Sequence, residues 1–348
     1  MEIIIDAMGG DNAPSEIVKG AAEAAKEGRT KLVLVGNKLR IEQCLHQCGA
    51  DTRLFEIVHT DQVITMEDDP MSVVRGKKQS SLSEGLRLLK EGGDAFVSAG
   101  NTGALHAGSS LIVRTVKGVQ RSAIATVLPF SRPILLMDSG ANINVTAEYF
   151  VQWAIMGSLY MKNVLGVEAP EVGLLNNGTE DHKGTQIQID AYRKLTEEPG
   201  LRFAGNVEGK ELPFGPCDVL VTDGFTGNVT LKLIEGMSKF MFGLLKDMYT
   251  KNAVTKLSFL ATKNELKQIK REFDASEYGG APLLGLQKPV IKAHGSSDAR
   301  ALRNAIRQAE IFVSTGMTAQ IAERMAEYGE RKTVRTTAED KSAESAGN

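Results

Sequence analysis

The run IIIDAMGGD, Ile3–Asp11, passes from three isoleucines through an acid into a paired-glycine corner. An apolar run without alternation is how a strand reads when both of its faces are covered, as in a parallel sheet. The glycines that follow permit positive φ and close backbone approach, so the corner presents consecutive N–H groups. The same transition recurs at SAGNTG (Ser98–Gly103), DSGAN (Asp138–Asn142), NNGTED (Asn176–Asp181), TDGFTGN (Thr222–Asn228) and AHGSSD (Ala293–Asp298). Where a helix follows, its first turn adds free donors and the positive end of its dipole. Ligands of parallel α/β sheets bind beyond the carboxyl ends of the strands. Such corners gathered on one sheet edge are expected to build a polar cleft that takes phosphate or a developing oxyanion.

Working outward, short Ile/Val/Leu-rich runs predict strands at Ile3–Ala7, Lys31–Val35, Leu54–Val58, Ala95–Ser98, Ile124–Leu128, Ile134–Asp138, Glu171–Leu175, Arg202–Gly205, Val219–Thr222 and Val290–Lys292. Helical stretches lie between many of them, among them Ser15–Glu27, Ser80–Glu91, Ala147–Met161 and Gly184–Leu195. This alternation predicts right-handed βαβ units and a mostly parallel sheet, in one α/β domain over residues 1–330. From Asn228 to about Phe273 the pattern changes to long helices with few breakers, read as a helical arm at 236–275. Within it, Lys251–Arg271 carries Lys251, Lys256, Lys263, Lys267, Lys270 and Arg271 against Glu265 alone, with Val254, Leu257, Leu260 and Ala261 at helical spacing and Phe259 beside them. A basic amphipathic helix reads as membrane-surface or partner-binding, and equally as one member of an ordinary helix pair using the stripe as a dimer or core contact. Residues 331–348 are polar and apolar-poor, and read as a disordered tail.

With 348 residues the chain has enough length to bury a large core. A net charge of −2 argues against nucleic acid as a partner, since nucleic-acid binding usually needs a basic domain. Cys44, Cys48 and Cys217 are too few and too scattered for a disulfide framework, and a reducing cytoplasm is the simple reading. Cys44, His46 and Cys48 lack a nearby fourth ligand, so no metal is expected. The first residues, MEIIIDAMGG, lack a basic n-region and read as a strand rather than a signal peptide. No apolar run approaches the ~20 residues of a bilayer span, so membrane contact is expected to be peripheral.

Several catalytic signatures are missing. AMGGDNAP has the wrong spacing for a dinucleotide fingerprint, and there is no GxxxxGK[ST], HExxH or GxSxG, so no cofactor is expected. What the corners offer is donors. Gly9, Gly10 and Asp11, Asn101, Thr102 and Gly103, and Thr226, Gly227 and Asn228 bring backbone N–H groups with hydroxyl and amide side chains. Lys183 and His182 stand just before a helix, and His294, Ser296 and Ser297 before another. Taken singly, each corner is an ordinary left-handed turn or N-cap; their recurrence at one class of position points to a shared site. Asp6, Asp138 and Asp223 end apolar strands and read first as turn caps. His106 reads as a packed, hydrogen-bonded imidazole. The basic turn at Arg75–Ser81, with Lys77 and Lys78, is either a solvated turn or a receptor for an acidic protein or phosphate.

At these corners the chain resembles the bacterial phosphate acyltransferase family, PlsX. The resemblance runs from Met1 to about residue 330 and rests on DAMGGDNAP (Asp6–Pro14), SAGNTGAL (Ser98–Leu105), NNGTEDHKG (Asn176–Gly184), TDGFTGNVTLK (Thr222–Lys232), YGGAPLLG (Tyr278–Gly285) and IKAHGSSD (Ile291–Asp298). It implies a three-layer α/β sandwich similar to isocitrate and isopropylmalate dehydrogenases, and a homodimer associated peripherally with the inner face of the cell membrane. It also implies transfer of a fatty acyl group from acyl carrier protein to inorganic phosphate, giving acyl phosphate for phospholipid synthesis. In that frame Gly9–Asp11, Asn101–Gly103 and Thr226–Asn228, with Asp223, Ser296 and Ser297, seat phosphate and the carrier's thiol arm. Lys183 and Asn228 stabilise the oxyanion, and His182 or His294 supplies a proton. Lys77, Lys78, Lys256, Leu257, Phe259, Leu260 and Lys263 are the expected docking residues for carrier protein or membrane, with a downstream membrane glycerol-phosphate acyltransferase as a further partner. Rival expectations are a phosphotransacylase acting on acyl-coenzyme A and a non-catalytic scaffold that recruits carrier protein to the membrane.

Overall fold

The computed structural model describes residues 1–28, 30–272 and 279–346. Phe273, the end of the expected arm at 273–275, Tyr278, and positions 347–348 of the expected tail lie outside the described residues.

The N-terminal half alternates β1 (Glu2–Asp6), α1 (Ser15–Ala25), β2 (Lys31–Gly36), α2 (Lys38–Gln47), β3 (Phe55–His59), α3 (Ser81–Glu91), β4 (Ala95–Ser98) and α4 (Thr102–Gly108). A hairpin, β5 (Ala123–Leu128) and β6 (Ile134–Met137), leads to α5 (Ala147–Leu165), β7 (Glu171–Asn176), α6 (Gln186–Glu197), β8 (Arg202–Glu208) and β9 (Val219–Val221). Two long helices, α7 (Gly224–Thr250) and α8 (Ala253–Glu272), precede β10 (Ala281–Leu284), β11 (Val290–Lys292), α9 (Ala299–Ser314) and α10 (Met317–Ala346). All the strands join one sheet in the order β3-β2-β1-β4-β11-β10-β5-β6-β9-β7-β8.

The isoleucine run behaves as its lack of alternation predicts. Ile3 and Ile5 pack in one cluster with Ile17 of α1 and Leu302 of α9, while Ile4 faces the other way with Leu82 and Leu86 of α3. All three are fully buried, each contributing roughly 1.5–3 kcal/mol. Helices cover both faces of the other half too: α5 and α10 pack through Trp153, Phe150, Met317 and Ile321, and α7 covers the opposite face through Leu231 and Ile234.

The pairing is mostly parallel, but the two halves of the sheet run in opposite directions. β11 pairs antiparallel with β10, β10 antiparallel with β5, and β5 antiparallel with β6, after which β9, β7 and β8 continue parallel to β6. The corners after β1, β4 and β11 therefore lie at one rim, and those after β6, β9 and β7 at the other. This corrects the expectation of a single rim. The five-residue link between Leu128 and Ile134 suits an antiparallel hairpin and is too short for a parallel crossover.

The helix that carries the arm starts at Gly224, and its first turns still pack on the sheet through Leu231 and Ile234. Of the whole of α7 only Gly224 and Gly227 are buried, and its 27 residues extend about 40 Å at 1.5 Å each. α8 folds back along it, with the Tyr249 and Phe259 rings 5.5 Å apart. At the other end, α10 runs to Ala346 where the sequence predicts a tail. Nothing between Arg331 and Ala346 is a Gly or Pro, and the first part is tied down by Arg331 to Glu198 and Lys332 to Glu148.

Candidate active site

On one face of the sheet the helix layer is interrupted between α4 and α7, and a cleft of about 550 Å³ opens there. Its floor is β5, through Ile124 and Thr126, with Ala281 at the start of β10 and Lys292 at the end of β11. Thr102 and the His294–Asp298 corner close it on the first-rim side, and Ser139, Asn228, Leu231, Lys232, Glu235 and Lys239 on the second-rim side. The oppositely directed halves thus face their corners toward each other across β5. Lys232, Lys239, Lys292 and Arg300 line it against Glu235 and Asp298, a cationic balance suited to anions.

The corners are fixed by their own hydrogen bonds. Asp11 N–H donates to Gly295 O, and Asn12 Nδ2 to Ser296 O and Ser297 O, so the Gly9–Asp11 corner braces the His294–Asp298 corner from behind. Asn101 caps α4 through Ala104 N–H, and its Nδ2 holds Thr65 O, Met66 O and Asp68 O, each at 3.1 Å. Gly103 packs against Pro70. Asp223 caps α7, accepting from Thr226 N–H and Thr226 Oγ1. Asp138 accepts from the N–H groups of Ile124, Gly140, Ala141 and Asn142. Burial nevertheless holds its carboxyl above the usual range. Gly227 has no room for a side chain: a Cβ there would stand 1.9 Å from Asp138 O. That contact seats the first turn of α7 against the β6 corner and turns Asn228 into the cleft, where its Nδ2 lies 3.4 Å from Ser139 O.

His294 accepts from Ser296 N–H at Nδ1, with Ser296 Oγ 2.9 Å away. The neutral ring then carries its proton on Nε2. Burial lowers its pKa, and Lys232, Lys292 and Lys239 push the same way against Glu235, so it is neutral at pH 7. Ser297 Oγ is buried with no hydrogen-bond partner among the described residues. Lys292 is 9% exposed and its Nζ donates to Ala99 O and Ala293 O. Burial depresses its pKa to about 8, with Asp6 and Asp11 opposing the shift and Lys232 adding to it.

Of the residues singled out in the sequence, Thr102, Asn228, His294, Ser296 and Ser297 line the cleft. Gly9, Gly10, Asp11, Asn101, Gly103, Asp223, Thr226 and Gly227 build its supports. Lys183 and His182 lie outside its lining, one strand beyond Asn228 along the second rim; their corner is held by Asn206 of β8, which donates to Glu180 O, while Asn176 donates to Lys183 O. His182 is exposed beside Asp181. Lys77 is bound to Asp68 and Val63 O, whereas Lys78 is exposed. Lys256, Leu257, Leu260 and Lys263 are exposed on α8, and Phe259 is partly covered by Tyr249. His106 is largely enclosed, its Nε2 3.4 Å from Ser122 Oγ and its pKa lowered by burial. Sequence reasoning missed Lys292, Lys232 and Lys239. A lysine ending an apolar strand inside IKAHGSSD was the available signal, the same signal that drew notice to Asp6 and Asp138.

A sequence model described as "Fatty acid synthesis protein" matches residues 1–320. The chain is 44% identical to the phosphate acyltransferase of Thermoanaerobacter pseudethanolicus over 96% of this chain and all of that one. It is 45% identical to the phosphate acyltransferase of Anoxybacillus flavithermus, over 94% and 99%. The chain belongs to the phosphate acyltransferase family. Its members are enzymes, as the resemblance implies. The fold is similar to a phosphotransacetylase from Streptococcus pyogenes, with TM-score 0.60 and 17% identity over 90% and 94% of the two chains. It is also similar to 4-hydroxythreonine-4-phosphate dehydrogenase from Klebsiella pneumoniae, with TM-score 0.51 and 14% identity over 90% and 99%. Among the described residues no cluster of His, Cys, Asp or Glu has the makings of a metal site, and no helix is long and apolar enough to cross a membrane.

Proposed function

We propose that this enzyme transfers a long-chain fatty acyl group from the thioester of acyl carrier protein to inorganic phosphate, releasing acyl phosphate for phospholipid synthesis. The observation that carries this reading is the cationic cleft in which Asn228, His294, Ser297 and Lys292 meet over β5. The dianion is a major form of inorganic phosphate at neutral pH, so phosphate needs placement more than deprotonation. The His294–Asp298 corner supplies it with the first turn of α9, the unpartnered Ser297 hydroxyl and the His294 Nε2–H. Asn228 Nδ2 meets the thioester oxygen as it becomes an oxyanion. Lys183, on the neighbouring corner of the same rim, joins it when the thioester arm lies along that rim.

The rest of the reading concerns partners. Carrier protein, acidic in this family, docks at the mouth lined by Lys232, Lys239 and Arg300. The exposed stripe Phe225, Val229, Leu233, Met237, Phe240, Leu244 and Met248 of α7 pairs with a second copy. The α7–α8 end, with Val254, Leu257 and Leu260 exposed beside Lys251 and Lys256, rests on anionic lipid at about 1 kcal/mol per cation. Likeness to a dehydrogenase fold supports the three-layer sandwich of the isocitrate dehydrogenase type.

The test is incubation of pure protein with a palmitoyl thioester of carrier protein, with and without phosphate, and with acetyl-coenzyme A in place of the carrier. Phosphate-dependent acyl phosphate from the carrier thioester is expected. Turnover restricted to acetyl-coenzyme A would establish the soluble phosphotransacylase instead, and thioester left intact would establish a scaffold.

A further inference from the structure

The neighbouring strands β1, β4 and β11 end in a row of buried polar side chains, Asp6, Ser98 and Lys292. Lys292 sits directly beside Ser98 in register, and Ser98 Oγ donates to Asp6 Oδ2 at 2.7 Å. Asp6, Ser98 and Lys292 are 1%, 0% and 9% exposed. Only Lys292 of the three lines the cleft. An ammonium has three donors; two are met by Ala99 O and Ala293 O, which leaves one for the cleft. We propose that Lys292 is the acid that protonates the departing carrier thiolate.

This rests on the phosphate acyltransfer reading and names a residue that the sequence left out. The other groups of the cleft are poorer acids. His294 is a neutral ring whose Nδ1 is already occupied, so its Nε2–H donates a hydrogen bond and holds its proton. Arg300 is a guanidinium and keeps its proton in proteins. Lys232 is paired with Glu235 at 2.8 Å, and it and Lys239 are exposed to water at the mouth. Lys292 alone is buried, cationic and fixed. Its charge is faced by Asp6 from β1, Asp11 from the first corner, Lys232 from α7 and His294 beside it. A pKa of about 8 lies near that of an alkyl thiol, where proton transfer is nearly balanced.

The step balances. A phosphate oxygen of HPO₄²⁻ forms the C–O bond to the acyl carbon, the C–S bond breaks with its electron pair on sulfur, and Nζ–H gives sulfur its proton. The acyl phosphate leaves the addition still carrying the proton of HPO₄²⁻, which it releases to Nζ, restoring the ammonium.

The experiment compares alkyl and aryl thioesters of one fatty acid, because an aryl thiolate departs without protonation. In the unmodified enzyme, kcat on the alkyl thioester is expected to fall as pH rises through about 8, and kcat on the aryl thioester is expected to lack that limb. Lys292→Met should lower kcat on the alkyl thioester roughly 10²–10³-fold and on the aryl thioester less than about tenfold. Lys292→Arg, which keeps the charge, should show the same split and lose the limb near pH 8. Equal losses on the two thioesters, or a limb unchanged in Lys292→Arg, would overturn the assignment. The pH profiles of the unmodified enzyme decide it even where a variant does not fold. Absence of phosphate-dependent acyl phosphate would instead overturn the acyltransfer reading itself.

Discussion

Two adjacent residues separate seating the cleft from lining it. Asn228 donates into the cleft, and Gly227 lets it do so by packing its bare Cα against Asp138 O. On the proposed reading Asn228→Ala removes an oxyanion donor, worth about 3 kcal/mol, so kcat should drop 10²–10³-fold with the folding midpoint unchanged. Lys183→Ala tests the neighbouring corner by the same measurement; near-normal turnover in that variant would leave Lys183 a surface residue. Gly227→Ala should behave in the opposite way. Its Cβ would meet a backbone oxygen at 1.9 Å, an overlap relieved only by shifting α7 or the β6 corner. A loss of about 3 kcal/mol in denaturant unfolding is expected, and a stability unchanged within about 0.5 kcal/mol would mean that the α7 turn is not pinned there. The sequence made Asn228 and Gly227 visible, since both stand in a donor-rich corner. Lys292 was hidden because a strand-ending lysine is ordinarily a solvated edge residue, and only burial makes it otherwise.

At the scale of elements, the strands were legible wherever Ile, Val and Leu ran together, and the β4 and β11 boundaries agree to the residue. β10 was not, because APLL is short and carries a proline. Missing it hid the two antiparallel pairs that flank β10, which cancel and leave β5 parallel to β11; the second half is turned around by the β5–β6 hairpin. The arm was legible as a change of pattern; what the sequence did not display is that α7 grows directly out of the corner that holds Asn228, so one helix carries both a turn that lines the cleft and an exposed apolar stripe. If this stripe pairs two copies as proposed, the unmodified protein should sediment as a dimer and Met237→Glu with Phe240→Glu as a monomer, with α7 still helical by circular dichroism; a variant that sediments as the unmodified protein does would refute pairing through this stripe. Leu257→Glu with Leu260→Glu should instead abolish binding to anionic vesicles and leave sedimentation alone. At the other end of the chain, Arg331 meets Glu198, whose side chain is 5% exposed. Removing the guanidinium strands a buried carboxylate, so Arg331→Met should cost about 2–3 kcal/mol; a smaller loss would mean that α10 does not brace α6. Composition alone cannot register the ion pair of Arg331, formed 133 positions away in the chain.

Among the cations of the cleft and the arm, exposure rises away from the cleft floor. Lys292 is enclosed, whereas Lys232, Lys239, Lys256 and Lys263 stand in water. Salt should therefore act on one step and spare the other. Counterions screen exposed charges beyond a Debye length, about 10 Å at 0.1 M, and electrostatic docking of an acidic carrier depends on that range. Raising ionic strength from about 0.05 to 0.5 M is expected to raise KM for the carrier thioester at least tenfold. At saturating carrier, kcat should change less than twofold, because the buried ammonium acts at contact distance where no counterion enters. A free fatty acyl thioester without the carrier supplies the control, since it lacks the acidic surface and should show a nearly salt-independent KM. If both thioesters lose affinity equally as salt rises, the exposed cations are not a carrier-docking face, and the mouth of the cleft recognises only the acyl chain and its thiol arm.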